Sequence, residues 1–192
     1  MVRVAVLVSG GGTNLQAILD SVGSVIISAE ISLVISSSDK AYALTRAANA
    51  GVPSMVIKKE DELLSALYEN KIDLIVLAGY MKILSENFTA KWARRIINVH
   101  PSLIPSFCGK GMYGLHVHEA ALSYGVKVTG ATVHFVNEIP DGGEIIFQKA
   151  VDILPGDTPE VLQRRVMEQA EWILLPRAIE HVAKEIENAE LS

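Results

Sequence analysis

The chain has 192 residues, of which 49% are hydrophobic and 20% are charged, a composition typical of a folded domain rather than a disordered chain. Its formal net charge of −5 argues against nonspecific nucleic-acid binding, which requires a basic face, but leaves a local phosphate site open. Because Cys108 is the one cysteine, no disulfide can form within the chain, and a reducing, cytoplasmic compartment is predicted.

The first half of the chain alternates short apolar runs with helical patterns. Strands are predicted from the apolar runs at Val2–Val8, Ile31–Ser36, Ser54–Ile57, Leu74–Leu77 and Arg95–Val99. Helices are predicted between them at Asn14–Ser21, Tyr42–Ala50, Glu60–Asn70 and Ser85–Trp92. Strands that are apolar on both faces indicate a parallel sheet covered by helices on both sides. The first run is too short for a signal peptide, and none approaches the ~20 apolar residues of a transmembrane helix.

The second half of the chain has a different pattern. Leu115–Tyr124 predicts a helix, and the β-rich runs Val126–Val136 and Glu144–Val151 are expected to complete the sheet, with antiparallel pairing as an option. A helical segment is predicted over about 158–187, with a kink or break at Pro176. Since the sequence has no repeat and no flexible linker, all 192 residues are predicted to form one α/β domain with an open, mostly parallel, Rossmann-like twisted sheet.

A glycine loop, Ser9-Gly10-Gly11-Gly12-Thr13-Asn14, joins the first strand to the first helix. The glycines allow a ligand to approach the backbone closely, and Thr13 with Gln16 fits a capping box. The N–H groups that open the helix, together with its dipole, predict an anion site. A Walker loop is excluded because no Gly-Lys-Ser/Thr occurs, and a dinucleotide site is disfavoured because Leu15 replaces its third glycine. A single phosphate is favoured, with an unliganded tight turn as the alternative.

Polar residues follow the fifth predicted strand, in the segment Asn98-Val99-His100-Pro101-Ser102-Leu103-Ile104-Pro105. Residues two apart in a strand share a face, so Asn98 and His100 can both face one ligand at the carboxyl edge of the sheet. The amide can donate to a developing oxyanion, and the imidazole can carry a proton near neutral pH. Asp141, in the turn Asp141-Gly142-Gly143, supplies a carboxylate that would favour an imidazolium. Satisfying loop backbone is the alternative role for Asn98 and His100, and an ordinary Asp-Gly turn is the alternative for Asp141.

The sequence also contains candidate residues for a metal site and for a cysteine nucleophile. His116 and His118, with His100 and His134, could form a zinc site, but the sequence has no HExxH motif or cysteine cluster. On the predicted helix His116 and His118 would lie on different faces, so we predict no metal. Structural hydrogen bonding, or support of the site, is expected for His134. Cys108 lies in a glycine-rich loop, where a rigid nucleophile is not expected.

Taken together, these motifs identify a family. Gly-Gly-Gly-Thr-Asn-Leu-Gln near the start, Asn-Val-His-Pro-Ser-Leu-Ile-Pro in the middle and Asp-Gly-Gly after Thr-Val-His-Phe-Val resemble the folate-dependent phosphoribosylglycinamide formyltransferases. The segment Leu77–Leu84 is similar to the folate loop of that family. The resemblance extends from Val4 to about Pro176.

The resemblance implies a role for each matching residue. The catalytic residues that it implies are Asn98, His100 and Asp141. The implied ribonucleotide-binding residues are Gly12, Thr13, Asn14 and Glu171, with Glu168 as the other candidate for the ribose contact. The implied folate-binding residues are Met81, Lys82, Ile83, Leu84, Asn98, Asn137, Glu138, Ile139, Pro140 and Asp141. The implied enzyme is cytoplasmic, uses 10-formyltetrahydrofolate and glycinamide ribonucleotide, binds no nucleic acid or membrane, and has a homodimer as one option.

Two segments depart from the family pattern. Lys58–Glu62 lacks the arginine that meets the folate in that family, and Ser106–Gly114 is longer than the common loop, so its glycines predict a mobile flap. Two alternatives remain open: a formyltetrahydrofolate deformylase, which shares the catalytic residues, and a noncatalytic nucleotide-binding module. The glycine loop and the His-Pro-Ser-Leu form of the central motif favour the transferase. Methionyl-tRNA formyltransferases lack that glycine loop and add a basic C-terminal domain.

Overall fold

A computed structural model describes residues 1–191, which form helices around one sheet with strand order β3-β2-β1-β4-β5-β6-β7. The strands are β1 (Val2–Val8), β2 (Ala29–Ser36), β3 (Ser54–Val56), β4 (Leu74–Leu77), β5 (Ile96–His100), β6 (Val128–Phe135) and β7 (Ile145–Asp152). Strands β1 to β5 pair in parallel with one another, whereas β6 pairs antiparallel with both β5 and β7. The predicted mostly parallel α/β sheet is therefore confirmed.

Seven α-helices connect the strands or follow them in residues 1–191. They are α1 (Thr13–Asp20), α2 (Ala43–Asn49), α3 (Glu60–Glu69), α4 (Glu86–Lys91), α5 (Leu115–Tyr124), α6 (Pro159–Val166) and α7 (Trp172–Glu190). A π-helical turn, Met167–Glu171, joins α6 to α7. No helix among these residues is long and apolar enough to cross a membrane.

Alternating side chains of β1 divide the core into two layers. Val6 packs in the layer that contains Leu15 of α1 and the buried residues of α2, α6 and α7. Leu7 packs in the opposite layer with Leu67 of α3 and Phe88 of α4. Because both faces of the central strands are covered, these strands have few polar residues, which is the pattern that the sequence showed.

Two local predictions about the helices were wrong. Helix α1 has no side-chain cap: its N-cap is Gly12, which has a φ of 73°, and the Thr13 hydroxyl instead donates to the sulfur of Met167 at 3.7 Å. Of the kink or break predicted at Pro176, the break is wrong, because Pro176 lies within the first turns of the continuous helix α7. In a regular helix the N–H at position 176 would donate to the carbonyl four residues earlier, at the first residue of α7, but proline has no N–H. The irregular π-helical turn ends immediately before that residue.

Candidate active site

The carboxyl edge of the parallel strands carries the polar cluster. Asn98 and His100 are the third and fifth residues of β5, and the register of the antiparallel neighbour β6 sets His134 opposite Asn98. The glycine loop after β1 and the segment after β4 meet at the same edge, where the strand order reverses between β1 and β4. There the backbone N–H of Met81 donates to Ser9 Oγ at 2.9 Å. This edge is the usual ligand-binding position of open α/β sheets.

His100 is almost fully buried, and both of its ring nitrogens have defined neighbours. Its Nε2 lies 2.9 Å from the carbonyl oxygen of Phe107, which can only accept, so Nε2 carries the hydrogen. Its Nδ1 lies 3.6 Å from Asp141 Oδ2. The proton-exchanging nitrogen is therefore Nδ1, and a protonated ring would be stabilised both by the carboxylate and by the Phe107 carbonyl.

Asp141 is held as a carboxylate by the groups around it. Its burial acts to raise its pKa, but hydrogen bonding to His134, the backbone N–H of Gly109 at 2.9 Å, and charge on the two histidines bring the pKa below its ordinary value. The backbone of Asp141 has a φ of 56°, which non-glycine residues adopt uncommonly and which functional sites tolerate. A charged acceptor is thus fixed beside His100.

Asn98 and His134 form a second hydrogen-bonded pair. The Nδ1 of His134 donates to the carbonyl oxygen of Phe135 at 2.8 Å. Its Nε2 accepts from the Asn98 amide at 3.2 Å when the ring is neutral, and donates toward Asp141 when the ring is protonated. This bond orients the amide, whose nitrogen has a second hydrogen that remains for a ligand. His134 Nε2 also lies 3.7 Å from Asp141 Oδ1. The supporting role that the sequence suggested for His134 has a geometric basis here.

Two cavities meet at this cluster, because Tyr80, Asn98 and Asp141 line both of them. The smaller cavity, of about 130 Å³, is lined mainly by the segments after β4 and β6. The larger cavity, of about 300 Å³, reaches from the cluster to Asn14 and Glu171. A still larger apolar cavity of about 460 Å³ lies at the opposite, amino edge of the sheet, away from the cluster. The two adjoining cavities give space for two ligands on either side of Asn98 and Asp141.

The smaller cavity brings together most of the residues assigned to folate. From that set its lining includes Lys82, Ile83, Leu84, Asn98, Asn137, Glu138, Ile139, Pro140 and Asp141. Met81 lines the larger cavity instead. Large apolar side chains at the rim are exposed, with Ile83 84% and Ile139 57% accessible to solvent. These exposed apolar groups and the loop backbone suit a flat, hydrogen-bonding ring system.

Glu171 is buried at the far end of the larger cavity. Only 6% of the residue is exposed, and its carboxylate accepts a hydrogen bond of 2.9 Å from the Asn14 amide. Burial raises its pKa to about 7, although the Asn14 bond acts in the opposite direction. The Oδ1 atom of Asn14 is buried without a hydrogen-bond partner in the described chain. Glu168, by contrast, is exposed and pairs with Arg164 at 2.8 Å.

Two carbonyl groups of the glycine loop accept hydrogen bonds from helix α2. The backbone N–H of Ala43 donates to Gly10 O at 3.1 Å, and Arg46 Nε donates to Gly11 O at 2.8 Å. The first N–H groups of α1 have no partner within the helix and can face an anion. A Cβ at Gly10 or Gly11 would meet no atom within 4 Å, whereas at Gly12 it would lie 2.6 Å from the Ala43 side chain. The requirement for glycine at position 12 therefore comes from packing and φ as well as from ligand approach.

The segment Ser106–Gly114 lies against the catalytic candidates. Besides the Phe107 and Gly109 contacts described above, Cys108 Sγ donates to the Pro105 carbonyl at 3.3 Å. Burial and the nearby charge of Asp141 raise the pKa of the Cys108 thiol. A thiolate is disfavoured at this position, which argues against a nucleophilic role.

His118 is a site residue that the sequence analysis missed. It lies on the buried face of α5 and lines the larger cavity, whereas His116 is exposed and contacts Glu119 at 3.2 Å, so the two histidines lie on different faces as predicted. Nothing in the local pattern distinguishes His118 from a core residue, because its importance depends on the neighbouring β5. Across residues 1–191, no group of three or more histidine, cysteine or acidic side chains has the arrangement of a metal site.

The chain is similar to known proteins in both sequence and fold. The sequence profile of the formyl transferase family matches residues 2–179. Phosphoribosylglycinamide formyltransferase of Haemophilus influenzae is 43% identical over 188 residues, covering 93% of this chain and 86% of that protein. The crystal structure of glycinamide ribonucleotide transformylase 1 from Symbiobacterium toebii superposes with a TM-score of 0.88 at 41% identity, covering 96% of this chain and 89% of that one.

Several relatives are much longer than this chain. The human trifunctional purine biosynthetic protein adenosine-3 is 46% identical over 190 residues, which are 94% of this chain but 18% of that protein. The chain spans 13–18% of the length of the trifunctional relatives from flies, human and chicken.

Proposed function

Because the chain belongs to the formyl transferase family, and within it to the phosphoribosylglycinamide formyltransferases, we propose that it transfers the formyl group of 10-formyltetrahydrofolate to the amine of glycinamide ribonucleotide. The observation that carries this proposal is the position of Asn98, His100 and Asp141 where two cavities meet. A transferase must bring two substrates together at one group of catalytic side chains, and a site between two cavities satisfies that requirement.

The smaller cavity is the proposed folate site. Its fit rests on the exposed apolar side chains of Ile83 and Ile139 and on the loop backbone around them, which can bond the edges of a pterin. Lys58–Glu62 still has no arginine to meet the folate, but Lys82 lies at this cavity, and its amine donates to the Lys58 carbonyl. A lysine is therefore the cation nearest to the proposed folate.

The larger cavity is the proposed ribonucleotide site. The N–H groups at the start of α1 would bind the phosphate, and Asn14 with Glu171 would bind the ribose. The unpartnered Oδ1 of Asn14 supports this assignment, because a ribose hydroxyl could donate to it. Glu171 is favoured over Glu168, which faces solvent and is paired with Arg164.

Transfer in this site would proceed by direct attack of the amine on the formyl carbon. A bond forms between the glycinamide nitrogen and the formyl carbon, negative charge develops on the formyl oxygen, and the bond to the folate nitrogen then breaks. The free N–H of Asn98 and the Nδ1–H of protonated His100 would stabilise the oxyanion, and removing one such donor typically costs about 3–4 kcal/mol. The Asp141 carboxylate, 3.6 Å from His100 Nδ1, stabilises the imidazolium form of that ring and can relay the amine proton, through water, to the departing folate nitrogen.

Absorbance-monitored loss of the formyl group, measured with and without glycinamide ribonucleotide, tests the proposal. A transferase turns the folate over only when the amine is present. Equal turnover without the amine would identify a deformylase, and ligand binding without any turnover would identify a nucleotide-binding module. Cytoplasmic location and a homodimer remain predictions of the sequence analysis.

A further inference from the structure

His118 presents a buried imidazole that the chain itself does not satisfy. The residue is 1% exposed, and neither Nδ1 nor Nε2 has a hydrogen-bond partner in residues 1–191. A neutral imidazole offers one donor and one acceptor, and burying both without partners is unfavourable for folding. A ligand that supplies a missing partner to one of these nitrogens would account for a histidine at this position.

The position of His118 indicates which ligand this is. It lines the larger cavity together with His100 and Asp141 at the reacting end and Asn14 and Glu171 at the far end. It does not line the smaller, proposed folate cavity. A ribonucleotide with its phosphate at the glycine loop must extend its glycinamide arm through the larger cavity to reach His100.

The environment keeps the His118 ring uncharged. Its burial, and then the charge of nearby His100, lower the pKa of His118 to about 4. Asp141, the carboxylate at this end of the cavity, contacts His100 and His134. At neutral pH His118 therefore retains an acceptor nitrogen, which an imidazolium lacks.

We propose that His118 is a binding residue for the glycinamide arm, where one nitrogen of its neutral ring accepts a hydrogen from an arm N–H. This inference rests on the proposed function, because it requires glycinamide ribonucleotide in the larger cavity. The match is chemical: the arm carries N–H donors and a carbonyl acceptor, which are the complements of a neutral imidazole. A neutral partner also orients the nucleophilic amine without adding a second cation beside protonated His100.

The test compares ligands with and without the arm in matched variants. Calorimetric titrations with glycinamide ribonucleotide and with ribose 5-phosphate would be made on the wild type, His118→Leu, His118→Asn and the control His116→Leu. We expect His118→Leu to weaken binding of the ribonucleotide about 5- to 30-fold, the loss expected for one buried hydrogen bond, and to change ribose 5-phosphate binding less than about twofold. His118→Asn keeps a donor and an acceptor and should recover part of the loss. His116→Leu should bind both ligands as the wild type does.

Thermal unfolding of the unliganded variants separates binding from structure. Because the His118 nitrogens have no partners, His118→Leu should melt at the wild-type temperature or higher. Equal weakening of both ligands, unchanged ribonucleotide affinity, or a lower melting temperature with unchanged affinity would each overturn the assignment of His118. If the wild type itself neither binds the ribonucleotide nor transfers the formyl group to it, the proposed function fails, and the role of His118 fails with it.

Discussion

Replacing Glu171 with glutamine should stabilise the unliganded protein at alkaline pH. Glu171 is 6% exposed, and its burial raises its pKa from 4.5 to about 7. The glutamine amide oxygen can still accept the hydrogen bond that Asn14 donates at 2.9 Å. The substitution therefore removes the buried charge while it retains the local geometry.

The size of the effect follows from the two pKa values. In the unfolded chain the carboxyl ionises near 4.5 and in the folded protein near 7, so the folded protein binds more protons between these values. Stability is lost as the pH rises through this range and is constant above it. At 1.36 kcal/mol per pH unit the loss amounts to about 3 kcal/mol by pH 8. For a chain of this length, that corresponds to about 6–12 °C in Tm.

Thermal unfolding of the wild type, Glu171→Gln and Glu168→Gln from pH 5 to pH 8 would measure the effect. The gain for Glu171→Gln should be small at pH 5 and should increase toward pH 8. Glu168→Gln is the matched control, since Glu168 is exposed and pairs with Arg164 on the same helical segment. The melting temperature of this variant should change with pH as that of the wild type does. A gain that does not change with pH, or a loss at pH 8, would refute a buried, ionising Glu171. The Michaelis constant for the ribonucleotide should rise about 10-fold or more in Glu171→Gln alone.

Other substitutions test the remaining parts of the site. Asp141→Asn removes a charge 3.6 Å from His100 Nδ1, an attraction of about 4–5 kcal/mol at an effective dielectric constant of about 20, and even partial loss of this attraction should lower turnover at least about 100-fold; near-normal turnover would contradict the assigned role. Gly12→Val forces a branched side chain against Ala43 at a φ of 73° and should raise the Michaelis constant for the ribonucleotide but not for the folate. Cys108→Ser should keep most activity in sequential kinetics, and a formyl-thioester adduct detected by mass spectrometry would contradict this. Activity should survive exhaustive chelation, and a loss that zinc reverses would revive the histidine metal site.

The sequence predicts those parts of the molecule that short-range periodicity determines. Alternation along β5 was sufficient to predict that Asn98 and His100 share a face, and the apolar strands were sufficient to predict a covered parallel sheet. The capping prediction failed because Thr13 bonds to Met167, far along the chain, instead of to its own helix. His118 was missed for a similar reason, since only the packing of the folded chain brings that histidine to the larger cavity.

The contacts of the Ser106–Gly114 segment link its conformation to the charge state of the site. The Phe107 carbonyl accepts from His100, and the Gly109 N–H donates to Asp141, so both bonds are strongest when the histidine is an imidazolium and the aspartate is a carboxylate. Coupling of this kind is reciprocal. If the segment stabilises the ion pair, the ion pair stabilises this conformation of the segment by the same free energy. Neutralising the pair with Asp141→Asn should therefore speed amide hydrogen exchange at Gly109. Substitutions at Phe107 or Gly109 should alter catalysis although neither residue lines the two cavities.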